Sequence, residues 1–137
     1  MYELNRKDIV CLDSNIVIWG ICPESSKELD KIEKCKNLFE EFSRLQVEVY
    51  IPSVALAEVI SGCEDAKSAA DLYSGISRRF KIATFDYFAT FIYADMWRLR
   101  KELQREGIVD GQPRESAKAD YMIIATAISL RAKCIYT

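Results

Sequence analysis

Histidine is absent from this chain of 137 residues, and the absence removes whole classes of chemistry. Without imidazole there is no Ser-His or Cys-His nucleophile pair and no histidine zinc ligand, and the commonest general base at neutral pH is gone. Cysteine does not fill the gap. Cys11, Cys22, Cys35, Cys63 and Cys134 form an odd set with no CxxC spacing, which reads as free thiols and not as a disulfide framework or a zinc cage. Glycine and proline are also scarce, at five and three residues, and there is no linker, repeat or low-complexity tract. These shortages exclude a disordered chain and argue against an all-β one.

Long apolar runs are missing too, so no membrane span is expected. The first residues, with Glu3, Arg6, Lys7 and Asp8, do not have the pattern of a cleavable signal peptide. The expected location is the cytoplasm. A net charge of -2 gives no global attraction to nucleic acid, so any nucleic-acid contact would rest on local basic patches. Half of the residues are apolar, enough for the core of one compact domain, expected to span residues 1–137.

What remains for catalysis is carboxylate chemistry, and three acids stand where apolar segments turn over into helices: Asp13 in IVCLDSNIVIW, Glu58 in VYIPSVALAEVI and Asp120 in AKADYMIIATAI. Residues 9–12 are fully apolar, as expected of a strand buried on both faces, and Ser14 or Asn15 can cap a helix over 16–21. From Ser26 to Leu45 apolar residues recur at three- and four-residue steps, which predicts an amphipathic helix. A second strand at 47–51 is broken by Pro52, and Ser53 can cap a helix that carries Glu58 in its second turn. Further elements are expected as a helix from Asp65 to Ser74, a strand at 80–84, a long helix at 85–105 ended near Gly107, a helix at 117–131 capped by Ser116, and a strand at 134–136. Phe85, Phe88, Phe91 and Trp97 are expected on the buried side of the long helix.

Strands alternating with helices imply right-handed crossovers and a parallel sheet covered on both faces. Ligands of such sheets bind at the carboxyl ends of the strands, near a switch in strand order. Asp13 is at that edge directly, and Glu58 can point back to it. Asp120 is harder to place: its helix precedes a strand, which puts its start at the opposite edge unless the long loop before it carries the chain across.

Each acid has a plainer role available. Asp13 could be a helix cap, and Asp120 could favour the positive end of its helix, an effect of roughly 0.3–1 kcal/mol. Glu58 lies among apolar neighbours, where burial without a partner is costly. Brought together, three carboxylates repel one another unless a cation neutralises them. An all-oxygen donor set suits Mg²⁺ or Mn²⁺, which would activate a water and stabilise phosphoryl charge.

At these residues the chain resembles the PIN-domain nucleases, including VapC-type toxins of toxin-antitoxin modules. The resemblance runs through Asp13-Ser14-Asn15, then Pro52, Ser53 and Glu58, then Ala119, Asp120, Ile124, Ala125, Thr126 and Ala127. It implies a three-layer α/β/α fold with a central parallel sheet of four or five strands, and endonucleolytic cleavage of RNA. Asp13, Glu58 and Asp120 would be the catalytic, metal-holding set, which settles Asp120. By charge, Arg78, Arg79, Lys81, Arg114 and Lys118 are candidate phosphate contacts of a ribonuclease, and by the resemblance Ser14 or Asn15 would support the site and its substrate. A homodimer and an antitoxin partner are implied in the same way.

The chain departs from the family pattern after its last strand, where many members carry a further acid in a Thr-x-Asp pattern and this sequence stops at Thr137. Either the domain is short of its C-terminal end or its site works with fewer acids, with Asp110 and Glu115 as partial substitutes. Two other functions compete. One is a catalytically impaired module of the same fold that binds RNA or a protein. The other is a phosphatase of the haloacid-dehalogenase type, which needs an Asp where this chain has Asn15.

Overall fold

The computed structural model describes residues 3–22, 27–107 and 114–137, and the side chains of all of these except 114–116. Among them lie four strands and six helices. In chain order they are β1 (Ile9–Leu12), α1 (Ser14–Ile21), α2 (Leu29–Leu45), β2 (Glu48–Pro52), α3 (Ser53–Ile60), α4 (Ala66–Arg79), β3 (Lys81–Ala83), α5 (Tyr87–Arg105), α6 (Arg114–Ser129) and β4 (Cys134–Tyr136). The strands form one sheet in the order β3-β2-β1-β4, and every pairing is parallel. This is the expected three-layer α/β/α arrangement. None of the described helices is long and apolar enough to cross a membrane.

β1 is central for the reason its composition gives. Val10, Cys11 and Leu12 are completely buried, so only apolar side chains are tolerated on either face. Ile16 and Val17 of α1, Phe39 and Phe42 of α2, and Leu56 and Val59 of α3 join them in the core. A Cβ on Gly20 would fall 2.5 Å from Cζ of Phe39, so glycine is what lets α1 lie close against α2.

Three non-glycine residues take left-handed backbone: Lys7 (φ 69°), Gln46 (φ 58°) and Arg131 (φ 62°). They stand two or three residues before β1, β2 and β4. After α5, Gly107 does the same at φ 73°, the helix stop its sequence position predicts.

Several expectations are corrected. α1 is capped by Asp13, whose side chain accepts the backbone N–H of Ser14, and not by Ser14 or Asn15; Asp13 has the extended backbone a cap needs and an oxygen within reach of the orphan donors. α3 has no side-chain cap, since Pro52 precedes it. α4 runs on to Arg79 because Ile76 is fully buried and anchors its last turns. α6 starts at Arg114, which puts Ser116 inside the helix. On α5, Phe88 and Phe91 are 68% and 58% exposed. The inward face of that helix carries Ala89 and the buried Arg100, whose guanidinium lies 4.9 Å from the ring of Trp97.

The placement of Asp120 is corrected as well. β4 runs parallel to β1, and the Lys133 N–H donates to the Ile9 carbonyl at 2.7 Å, so the chain leaving α6 arrives at the amino edge of the sheet. A helix that ends there began about 24 Å away, at 1.5 Å per residue, near the carboxyl edge. A helix leading into a parallel strand therefore starts on the ligand-binding side, and strand-helix logic alone is enough to bring Asp120 there.

Candidate active site

β1 feeds β2 and β3 on one side, while β4 returns on the other. The order therefore switches between β1 and β4, and a crevice is expected at their carboxyl ends. A cavity of about 310 Å³ opens there, lined by Asp13, Asp120, Ile123, Ile124, Ile135 and Thr137. Ladder register builds its floor: Leu12 pairs with Tyr136, and the Asp13 N–H donates to the Tyr136 carbonyl at 2.9 Å. Asp13 and Thr137 are thus held side by side by backbone, independent of rotamer.

Asp13 is half-buried, and its Oδ1 accepts the Ser14 N–H at 2.6 Å and the Ser14 hydroxyl at 3.3 Å. Both bonds fall on one oxygen. The carboxylate is therefore oriented while its other oxygen stays available. Asp120 enters from the opposite wall on α6, and Ile123 and Ile124, three and four residues on, share its helical face and line the same cavity.

Glu58 comes from α3, whose core face is Ala55, Leu56 and Val59. Its residue is exposed, so the expectation of a glutamate enclosed by apolar neighbours is corrected. The helix directs those neighbours into the core and Glu58 away from them. Its carboxyl pKa is nevertheless raised, first by partial desolvation and then by repulsion from Asp13 and from Asp120. Three elements distant in sequence thus deliver carboxylates into one electrostatic field. Among the described residues no three acids or thiols form a ready-made metal-ligating cluster; the three are coupled through charge at a longer range than ligation.

The other expected site residues divide. Ser14 touches Asp13 directly. Asn15 is exposed and Lys118 half-buried, and neither lines the cavity. The side chain of Arg114 lies outside the described residues, as do Asp110 and the side chain of Glu115. Arg78, Arg79 and Lys81 are not at this crevice: they border a recess with Val47 and Glu48 at the start of β2. Glu48 is level with Ile9, about 13 Å along the sheet from Asp13 at ~3.3 Å per residue. Sequence reasoning missed the isoleucine walls and Thr137. The signal for Ile123 and Ile124 was their spacing from Asp120.

The donor chemistry fits a hard divalent cation. All three acids offer oxygen, and their mutual repulsion, visible at Glu58, is what such a cation relieves.

Comparison with known proteins agrees with this fold. The family model for the PIN domain matches residues 10–137, while no curated protein matches. Among solved structures, VapBC2 from Rickettsia felis bound to a DNA fragment from its promoter is similar at 23% identity and a TM-score of 0.63, over 93% of this chain and 86% of that one. VapBC-1 from nontypeable Haemophilus influenzae is similar at 20% identity and a TM-score of 0.60, over 93% and 85%. DNA-bound VapBC from Salmonella typhimurium is similar at 19% identity and a TM-score of 0.51, over 90% and 80%. With a match that takes in all of β1 but its first residue, all three acids and β4, the chain belongs to the PIN-domain family.

Proposed function

We propose that this protein is a metal-dependent endoribonuclease, with Asp13, Glu58 and Asp120 as its catalytic, cation-holding set. The observation that carries the reading is the crevice at the carboxyl ends of β1 and β4, where Asp13 and Asp120, far apart in sequence, line one cavity; Glu58 does not line it but lies near enough for both aspartates to raise its pKa. When bound there, Mg²⁺ or Mn²⁺ lowers the pKa of a coordinated water and offsets charge on the phosphoryl oxygens during in-line attack.

The chain's own residues set the stage. Ser14 fixes one oxygen of Asp13, so that carboxylate loses little freedom when it engages a cation. Glu58 sits at the exposed side, where partial desolvation and the charges of both aspartates make it take up a proton more readily than an ordinary glutamate; a bound cation would favour its charged form. Ile123, Ile124 and Ile135 give the cavity apolar walls, which lower the local dielectric and strengthen the interaction of the carboxylates with a cation.

The VapBC neighbours support a place in a toxin-antitoxin pair; an antitoxin that covers the carboxylate crevice and a cytoplasmic location belong to the same proposal. The exposed Tyr87, Phe88 and Phe91 support a homodimer.

The test is RNA cleavage with and without Mg²⁺ or Mn²⁺. Asp13→Asn and Asp120→Asn are each expected to reduce the rate at least about 100-fold, since groups that merely orient metal ligands are worth about 10–100-fold. Full activity in either variant sinks the reading. Folded wild-type protein with no cation-dependent cleavage would leave a module that binds RNA or a protein without cutting.

A further inference from the structure

A second recess, of about 410 Å³, lies at the amino end of β2 and β3, away from the carboxylate crevice. Arg78, Arg79 and Lys81 border it with Ser43 and Ser77, and Glu48 is the acid on its rim. Three cations against one anion make a local positive excess in a chain whose net charge is -2. Arg79 also borders an adjoining hollow of about 430 Å³, so its guanidinium divides the two.

That guanidinium is oriented. It stacks 5.5 Å from the ring of Phe39 and 5.4 Å from that of Phe80, both nearly fully buried. Arg79 itself is exposed, so the two buried rings give its guanidinium a seat and leave it open to a ligand; a guanidinium fork recognises a phosphate with two parallel hydrogen bonds. Complementing the carboxyl end of α4 would account for Arg78 and Arg79 as last-turn cations. It does not account for Lys81, which belongs to β3 and is drawn across to Glu48 at 3.3 Å, nor for a guanidinium stacked on aromatic rings above a cavity.

We propose that this recess binds a phosphate group, carried on a free nucleotide or on the backbone of RNA, with Arg79 as the oriented fork and Arg78 and Lys81 as flanking charges. Glu48 tempers the site by occupying Lys81. The proposal is independent of the nuclease reading, because it uses no residue of the carboxylate crevice.

The experiment is a titration of the full-length, isotope-labelled protein in EDTA with inorganic pyrophosphate and with a short single-stranded RNA. It follows the amide signals of Ser43, Glu48, Ser77 and Lys81. Saturable shifts at these amides are expected, weakened at least tenfold in Arg79→Ala and in Lys81→Ala, and strengthened in Glu48→Gln. Arg79→Lys keeps the charge but not the fork, and is expected to bind more weakly than wild type.

For RNA, each cation removed is expected to flatten the logarithmic salt dependence by about 0.7. Pyrophosphate binding that RNA does not improve identifies a free phosphate or nucleotide as the ligand, whereas much tighter RNA binding with that slope identifies the backbone. Either result supports the site. Shifts absent with both probes, or unchanged in Arg79→Ala, overturn it. Asp13→Asn is expected to leave the affinity as it is, so failure here and failure of the nuclease assay are separate outcomes.

Discussion

Gly20→Ala tests the packing that seats α1, the helix opened by Asp13, against α2. The new methyl would overlap Cε2 of Phe39 and lie 2.5 Å from Cζ and 3.2 Å from Cδ2, where carbon atoms rest at about 3.5–4.0 Å. The ring would have to retreat by about 1 Å or more. It has little room, being 7% exposed, with its centroid 6.4 Å from that of Phe42 and 5.2 Å from that of Phe80. Overpacking of this kind costs about 1–3 kcal/mol, while replacing a helical glycine with alanine returns about 1 kcal/mol. A net loss of up to about 2 kcal/mol is expected, a fall of up to roughly 1 M in the urea midpoint at ordinary slopes. In a Phe39→Leu background the clash is relieved, and the same substitution should stabilise by up to about 1 kcal/mol. Urea unfolding of the four proteins of this cycle measures the coupling. A Gly20→Ala protein more stable than wild type, or a coupling below about 0.5 kcal/mol, refutes the argument.

Other outcomes follow from the same structure. Asp13→Ala removes the cap of α1 and should cost about 1 kcal/mol, whereas Asp13→Asn should keep most of the stability because asparagine caps about as well; equal destabilisation of the two in thermal melts would show that the cap contributes nothing. Ile51→Ala, at a completely buried position, should cost about 2–5 kcal/mol in urea unfolding, and a loss under 1 kcal/mol would contradict its burial.

The carboxyl of Asp8 is held below its ordinary value by the Asn5 N–H and by Lys133. Its stabilising contribution is therefore complete above the ordinary carboxylate pKa and is lost as pH falls through the lowered folded value. Asp8→Asn should flatten the acid limb of a stability-pH curve, and an unchanged limb would remove Asp8 from the account. The Cys11 thiol is pushed up to about 12, by burial first and then by Cys134. It should resist alkylation at pH 8 in folded protein and react on unfolding; rapid labelling without unfolding would show that β1 is not buried as described.

Much of this fold was legible because its signals are local. The apolar run at residues 9–12, the break at Pro52 and the stop at Gly107 each mark an element boundary that the structure keeps. Asp13, Glu58 and Asp120 stood out for a related reason, as charges at the ends of apolar segments.

What sequence could not supply was tertiary. Phe88 and Phe91 are apolar, but the turn of α5 gives the inward face to Ala89 and Arg100. Sequence alone offered no way to separate Arg78, Arg79 and Lys81 from the carboxylate crevice; strand register puts their recess at the other end of the sheet. The expected role of Ser14 as a cap yielded to Asp13, because capping depends on backbone angles that residue type only biases.

The left-handed residues before β1, β2 and β4 have an evolutionary consequence. Lys7, Gln46 and Arg131 each hold a conformation that costs a side-chain-bearing residue about 1–2 kcal/mol, and glycine there would recover part of it, up to about 1 kcal/mol after its greater freedom when unfolded. All three lie where strands begin, on the side of the sheet away from the three carboxylates. This protein therefore holds a reserve of unclaimed stability at positions that can change without altering its chemistry. Substitutions that sharpen the acidic crevice at some cost to folding can be compensated from the far side of the sheet, one turn at a time.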